Sequence, residues 1–277
     1  MDFYSESNIN RYEVSKLYGL ASEYNKISNF CKLVWSSLWS EKKDLYKFAP
    51  SIMLYGSPGT GKTTLLKNVA YSLKDDNLKY VTLSLELMLD KDLGMSSKRL
   101  RDFFEHIKSL ALQDYKVFVH FDDVDSVLCS RYISNESSGV KRFVNTFIKE
   151  IDYLLDVECD YLPIILITTN MFSMIDTAVK RRFSLKFEIE NRVSVEEFRN
   201  WIYPMCDDLK IKNELNYELL YKLMNEKELT NFDVYLILQE LFLEQLTGIK
   251  VTGLNLVQKF EEAKSSKSDF ERQRKQS

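Results

Sequence analysis

Histidine is scarce in this chain: His106 and His120 are the only two among 277 residues. The four cysteines, Cys31, Cys129, Cys159 and Cys206, stand far apart, with no C-x-x-C pair and no histidine cluster nearby. This excludes the common zinc spacings and a disulfide framework, and it points to a reducing, cytoplasmic setting. No run of residues is long and apolar enough to cross a membrane, so no membrane partner is expected. The start, Met1-Asp2-Phe3-Tyr4-Ser5-Glu6, lacks the basic region and apolar core of a signal peptide. Basic charge is not in excess: 38 Lys and Arg face 41 Asp and Glu, for a net charge of −3 and a pI of about 5.7. A nucleic-acid-binding domain ordinarily carries a basic face, so nucleic acid is not favoured as a partner. No internal repeat is visible.

What is present suffices for a real core. Hydrophobic residues make up 45% of the chain, and its length suits one large domain or a core plus a smaller one. Residues 1–16 are polar and read as a flexible leader. Residues 22–48 read as one helix, with Ile27, Phe30, Leu33, Val34 and Leu38 at helical spacing and Trp35 and Trp39 on a buried face. Apolar strand-like runs follow at 51–55, 80–85, 116–121, 163–169 and 185–189, with helical patterns at 96–113 and 139–156 between them. This alternation predicts an α/β fold with a parallel sheet covered by helices on both faces. From Ser194 onward every periodic segment is helical, which predicts a small all-helical lid. The expected boundaries are a core over 17–190, a lid over 191–262, and a charged, frayed tail over 263–277.

One motif carries the chemistry. Gly56-Ser57-Pro58-Gly59-Thr60-Gly61-Lys62-Thr63-Thr64 follows the strand-like Ser51–Tyr55 and precedes a helical pattern. This is G-x-x-x-x-G-K-[ST], a phosphate-binding loop in the order strand, loop, helix. Its glycines let backbone N–H groups turn inward around nucleotide phosphates. Lys62 can reach the β- and γ-phosphates, and the Thr63 hydroxyl can sit on Mg²⁺. The following helix would aim its N-terminus at the anion. The implied ligands are ATP or ADP with Mg²⁺.

A second acidic element follows the apolar strand at 116–121: Asp122-Asp123-Val124-Asp125-Ser126. A carboxylate at the C-terminal end of a buried strand beside a phosphate loop is where Mg²⁺ is held, so Asp122 is assigned to the metal with Thr63. Asp123 is placed to polarise the attacking water. Asp125 reads equally as a helix cap. His120 reads as a buried or sheet-edge residue rather than a base.

These motifs, in this order, resemble the AAA ATPase family, in particular the subgroup that includes katanin, spastin and FtsH. Asp122–Ser126 resembles its Walker B segment, usually Asp-Glu-hydrophobic-Asp-Ser. The stretch from Gly139 to Leu154 resembles the helix after it. Ile167-Thr168-Thr169-Asn170 resembles the sensor-1 strand, whose asparagine orients the catalytic water. Ile175–Phe183 resembles the second region of homology, with paired arginines before phenylalanine. The resemblance runs from about Tyr18 to Glu190 and continues more weakly beyond. It implies that Arg181 and Arg182 are arginine fingers for a neighbouring subunit, each worth ~10³–10⁵ in turnover. By themselves, Lys180-Arg181-Arg182 also fit a solvated turn or a nucleic-acid phosphate patch. A finger in trans implies self-association, and the family usually forms hexameric rings. Tyr18-Gly19-Leu20 resembles the turn that meets adenine, and Leu229–Val234 the start of the lid helix over it, although Asn231 and Asp233 also suit helix capping.

The chain departs from the family pattern in three places. Asp123 replaces glutamate and sets its carboxylate ~1.5 Å back. A misplacement of about 1 Å can cost ~10²-fold, so slow hydrolysis is expected. The stretch 86–96 resembles the pore-loop region, but Asp92-Leu93 stands where an aromatic residue next to a hydrophobic one is usual, so peptide threading is not implied. The family usually carries a substrate-recruiting domain before the module, and here only a short leader is read, so an unknown protein partner is expected to be met by residues 1–16, by the tail or by exposed faces of the ring. The reading is an ATP-hydrolysing AAA protein that remodels or assembles a partner. An ATP-gated assembly switch with weak turnover and a DNA-associated loader ATPase stand beside it.

Overall fold

The computed structural model describes residues 4–7, 9, 12–89, 93–128, 138–190 and 192–267. Cys129, Asp92, residues 1–3 of the leader and residues 268–277 of the tail lie outside them. By internal contacts the chain forms two units. The first takes the described residues within Met1–Ser15, Ser22–Gly56 and Lys62–Glu188. The second takes those within Lys16–Ala21, Ser57–Gly61 and Ile189–Ser277.

The first unit holds the sheet. Its described strands are β1 (Tyr4–Ser7), β2 (Ser51–Tyr55), β3 (Leu78–Leu83), β4 (Lys116–Phe121), β5 (Ile164–Thr169) and β6 (Leu185–Glu188). They run in the order β1-β3-β4-β5-β2-β6, all parallel except β1. Every residue of β5 is buried, as a strand covered on both faces requires. On one face Val117, Val119 and Phe121 of β4 join α4 (Leu93–Ala111) and α5 (Ser138–Leu155) through Phe103, Phe104, Ile107, Phe147 and Ile151. Alternate residues turn to the other face, where Phe118 meets Trp35 at 5.0 Å between ring centroids. The α/β reading with a mostly parallel sheet is therefore observed.

Two expectations in this unit are corrected. Residues 4–7 are not a loose leader. They form the edge strand β1, antiparallel to β3, and the Tyr4 ring lies 5.4 Å from that of Phe103. An edge strand exposes most of its side chains, so Tyr-Ser-Glu-Ser carries little apolar alternation for a reader to see. The single helix over 22–48 is two, α1 (Ala21–Val34) and α2 (Trp39–Tyr46). Ser36 Oγ donates to the Leu33 carbonyl at 2.8 Å, a local bond that competes with helix continuation. The Trp35 indole N–H donates to the Leu162 carbonyl at 2.9 Å. Trp39 is buried as expected, whereas Leu38 is 53% exposed.

The second unit is helical: α7 (Val195–Asp208), α8 (Tyr217–Glu226), α9 (Asn231–Leu246) and α10 (Gly253–Glu262). Phe198, Trp201, Ile202, Leu220, Val234, Leu241, Leu256 and Phe260 form its core. Three of these helices begin with reciprocal capping boxes: Ser194 with Glu197, Thr230 with Asp233, and Thr252 with Asn255. Capping at Asp233 is thus observed, with Thr230 rather than Asn231 as the cap. Residues 263–267 are not a frayed tail. Ser265 is 3% exposed and donates to the Glu228 carbonyl at 2.6 Å, while Ser266 Oγ donates to Asp233 at 3.1 Å.

Candidate functional site: a phosphate loop and its carboxylates

The site begins where the apolar strands stop. β4 ends at Phe121 and β5 at Thr169, and the polar residues just beyond them face α3 (Lys62–Ser72), which starts at the last residues of the loop. Lys62 is buried, and its Nζ donates to the Gly56 carbonyl at 2.8 Å and to Asn170 Oδ1 at 2.7 Å. The other end of the same amide, Asn170 Nδ2, donates to Asp123 Oδ1 at 3.1 Å. Thr63 Oγ1 donates to Asp122 Oδ1 at 2.9 Å. Lys62, Thr63, Asp122, Asp123 and Asn170, chosen from three separated segments, are joined through Thr168 into one hydrogen-bonded network within the first unit.

Burial lowers the Lys62 ammonium to about 8, against the pull of Asp123, Asp125 and Asp122. Burial also raises the Asp123 carboxyl, and the neighbouring Asp122 adds to the rise. For Asp122 burial works against the charge, but His120, the Thr168 and Thr63 hydroxyls and Lys67 outweigh it and hold the carboxyl below its usual value. The two adjacent carboxyls are thus driven apart. Asp122 is kept anionic as a cation ligand must be, and Asp123 is made more basic, as a proton acceptor should be. Asp123 sits at φ 46°, in the left-handed region that aspartate tolerates better than most residues.

Two supporting residues, Thr168 and Thr169, are not assigned roles by the sequence, and a third, Asp125, reads there as a helix cap. Thr168 Oγ1 donates to Asp122 Oδ1 at 2.5 Å and accepts from the Asp123 N–H at 3.1 Å. Thr169 donates to Asp125. Asp125 Oδ2 accepts from the Asn170 N–H at 2.9 Å, and Oδ1 from the Met171 N–H at 3.2 Å. Asp125 therefore braces the turn that presents Asn170, instead of capping a helix. Two hydroxyls ending an otherwise apolar strand were the available signal.

The loop residues Ser57–Gly61 belong by their contacts to the second unit. Thr60 Oγ1 donates to the Ser57 carbonyl at 2.9 Å. Gly59 has φ +76°, and a Cβ there would lie 2.8 Å from the Phe232 Cβ. Gly19 has φ +71°, and a Cβ would lie 2.6 Å from the Arg192 carbonyl oxygen. Glycine is needed at both on two counts, conformation and space. Pro58 and Thr64 make no side-chain hydrogen bond among the described residues.

The two arginines differ. Arg182 follows α6 (Thr177–Lys180), and it meets Asp152 of α5 through Nε at 3.1 Å and Nη2 at 2.9 Å, with Nη1 donating to the Ala178 carbonyl at 3.1 Å. Arg181 is exposed. Neither hydrogen-bonds to the Lys62 network among the described residues.

A hydroxyl and a carboxylate are hard oxygen donors, and one or two such ligands beside substrate phosphates suit Mg²⁺. Thr63 and Asp122 fit that ion. Comparison with known proteins agrees with the geometry. The model of the ATPase family associated with various cellular activities (AAA) matches residues 52–191.

The chain belongs to the AAA ATPase family. It is 29% identical over 168 residues to a cell division cycle protein 48 homolog of Archaeoglobus fulgidus, covering 58% of this chain and 22% of that protein. It is 30% identical over 182 residues to human vacuolar protein sorting-associated protein 4A, covering 66% of this chain and 39% of that one. In fold it is similar to a chain of the HORMA:CdnC:Trip13 complex of E. coli MS115-1, with a TM-score of 0.75, 18% identity and 90% of each chain covered. The chain spans 39% or less of the length of these two curated relatives. The matches do not distinguish the katanin, spastin and FtsH subgroup within the family. Among the described residues no helix is long and apolar enough to cross a membrane.

Proposed function

We propose that this AAA ATPase binds ATP with Mg²⁺, hydrolyses it in an assembly of its own copies, and uses the nucleotide state to remodel or assemble a protein partner. The observation that carries the reading is the single amide of Asn170 bridging Lys62 and Asp123. A phosphate-binding cation and a candidate base are tied to one side chain, so both are oriented before substrate arrives.

The backbone of residues 56–63 and Lys62 bind the phosphates. Thr63 and Asp122 hold Mg²⁺, which when bound would neutralise phosphate charge. Asp123 takes the proton of the attacking water as its oxygen bonds to the γ-phosphorus and the bond to the leaving ADP oxygen breaks. Asn170 keeps Asp123 and that water aligned. For the neighbouring copy's site we assign Arg181, whose guanidinium is exposed. Arg182 is already engaged by Asp152 and Ala178 and acts as a brace for the arginine turn. A finger that acts in trans requires self-association, which closes into a ring where the rotation between copies allows, and the AAA family resemblance makes a hexamer the expected ring.

ATP turnover per subunit measured against protein concentration tests this, with mass photometry alongside. Turnover should rise as the assembly forms and vanish in Arg181→Ala. Turnover that is independent of concentration and unaffected by Arg181→Ala would overturn it. A second reading, an ATP-gated switch with little turnover, is favoured by the short side chain of Asp123. It predicts ATP-dependent assembly with negligible phosphate release.

A further inference from the structure

Behind the Mg²⁺ carboxylate stands a pair of buried polar residues that the mechanism above does not use. Tyr80 of β3 and His120 of β4 lie on the same face of the sheet, and both have no exposed surface. The Tyr80 hydroxyl is 3.0 Å from His120 Nδ1. Burial raises the phenol well above its usual value, so it keeps its proton. The Asp122 carboxylate oxygen 3.5 Å from Nε2 is faced better by an N–H than by a lone pair, so the imidazole hydrogen is placed on Nε2, and Nδ1 accepts from the Tyr80 hydroxyl. That Nε2 has no hydrogen-bond partner and stands 3.5 Å from Asp122 Oδ1.

The carboxylate it faces is used unevenly. Oδ1 of Asp122 already accepts from Thr63 and Thr168, and His120 Nε2 stands 3.5 Å from the same oxygen. Oδ2 accepts from no described residue. A buried imidazole is a costly way to fill a sheet face that a phenylalanine would fill as well, and its unpartnered nitrogen has this oxygen 3.5 Å away.

We propose that His120, oriented by Tyr80, is a positioning residue that draws Oδ1 of Asp122 toward the sheet and leaves Oδ2 free for the Mg²⁺ of a bound nucleotide. This inference rests on the nucleotide reading given above. It concerns hydrogen-bond direction and needs no change of protonation. Outer partners of metal ligands act in this way, and their loss typically lowers metal affinity by ~10–100-fold.

The test is a Mg²⁺ titration of fluorescent ATP-analogue binding at neutral pH, with metal-free binding measured in chelator. His120→Phe keeps the ring volume and removes the donor. It should raise the Mg²⁺ midpoint about tenfold while metal-free affinity stays unchanged. His120→Gln, which can still donate, should recover most of the loss. Tyr80→Phe removes one oxygen without a cavity, so it also serves if His120→Phe folds poorly. It should shift the midpoint in the same direction by less, and add nothing when combined with His120→Phe. An unchanged midpoint in both Phe variants overturns the proposal. So does an equal fall of metal-free and metal-bound affinity, which is what lost packing would give. Asp122→Asn separates the two readings. If the native chain needs no Mg²⁺ and Asp122→Asn changes nothing, the nucleotide reading itself fails and takes this inference with it. If Asp122→Asn abolishes the Mg²⁺ effect and His120→Phe does not move it, this inference fails alone.

Discussion

In the first unit the polar side chains that matter reach far along the chain: Lys62 to Asn170 spans 108 positions, Thr63 to Asp122 spans 59, and Tyr80 to His120 spans 40. In the second unit the capping pairs Ser194–Glu197, Thr230–Asp233 and Thr252–Asn255 each span three. The helical unit satisfies helix starts with near neighbours, and its core cluster is apolar. The sheet unit buries a lysine and a histidine and gathers carboxylates after one apolar strand and two hydroxyls and an amide at the end of another. That placement opposes stability, since buried polar and charged groups are costly unless fully partnered. The contrast teaches that a buried lysine and histidine joined over long sequence separation mark the working part of this chain, while the helix starts of its scaffold are held by local pairs.

Breaking the long-range side should give the largest effects. Lys62→Met should weaken ATP binding by at least ~10²-fold, because the cation that meets the phosphates is removed. Isothermal titration against the native chain checks this, and circular dichroism should show the fold kept. Arg181→Ala should leave ATP affinity intact but lower turnover in the assembled state by ~10³-fold or more. Arg182→Ala should differ in kind. It breaks a partly exposed ion pair and should cost about 1 kcal/mol of stability, read by denaturant unfolding.

Asp123 offers a way to sharpen the comparison in the other direction. Asp123→Asn should lower turnover by ~10²-fold or more, because the proton acceptor is lost. Asp123→Glu should raise it, because the carboxylate regains the reach of one methylene. Single-turnover phosphate release reads both, and an Asp123→Glu variant slower than native would show that the turn at φ 46° is built for the shorter side chain.

The smallest effects belong to the local pairs. Ser194→Ala should cost about 1 kcal/mol of stability through the lost cap of α7 and leave ATP affinity unchanged. Its partner Glu197 sets a pH dependence. Hydrogen bonds from the Ser194 backbone and hydroxyl hold its carboxyl below the usual value of 4.5. The folded state thus binds this proton less readily than the unfolded chain. Its stabilising contribution is present above about that value and fades as the pH falls through the lowered one. Unfolding followed from neutral to acid pH should show a weaker acid decline in Glu197→Gln.

Much of the core was legible because its signals are local. The apolar run at 116–121 matches β4 residue for residue, and the phosphate loop announces itself by spacing. What escaped was set by tertiary contact. Residues 4–7 become a strand because the β3 edge is available to them. Ser265 is buried because Glu228 offers a carbonyl. The role of Asp125 in bracing Asn170 is invisible in sequence, since the partners lie 45 positions apart. The paired arginines read alike in sequence, and only Asp152 tells them apart.

The most direct test of the account mixes two inactive variants. Asp123→Asn copies lack a working base but carry an intact Arg181. Arg181→Ala copies carry a complete site that needs a neighbour's arginine. The account predicts that each variant alone hydrolyses almost no ATP and that their mixture recovers a measurable fraction of native turnover. A mixture as inactive as its components, with co-assembly shown by mass photometry, would contradict it.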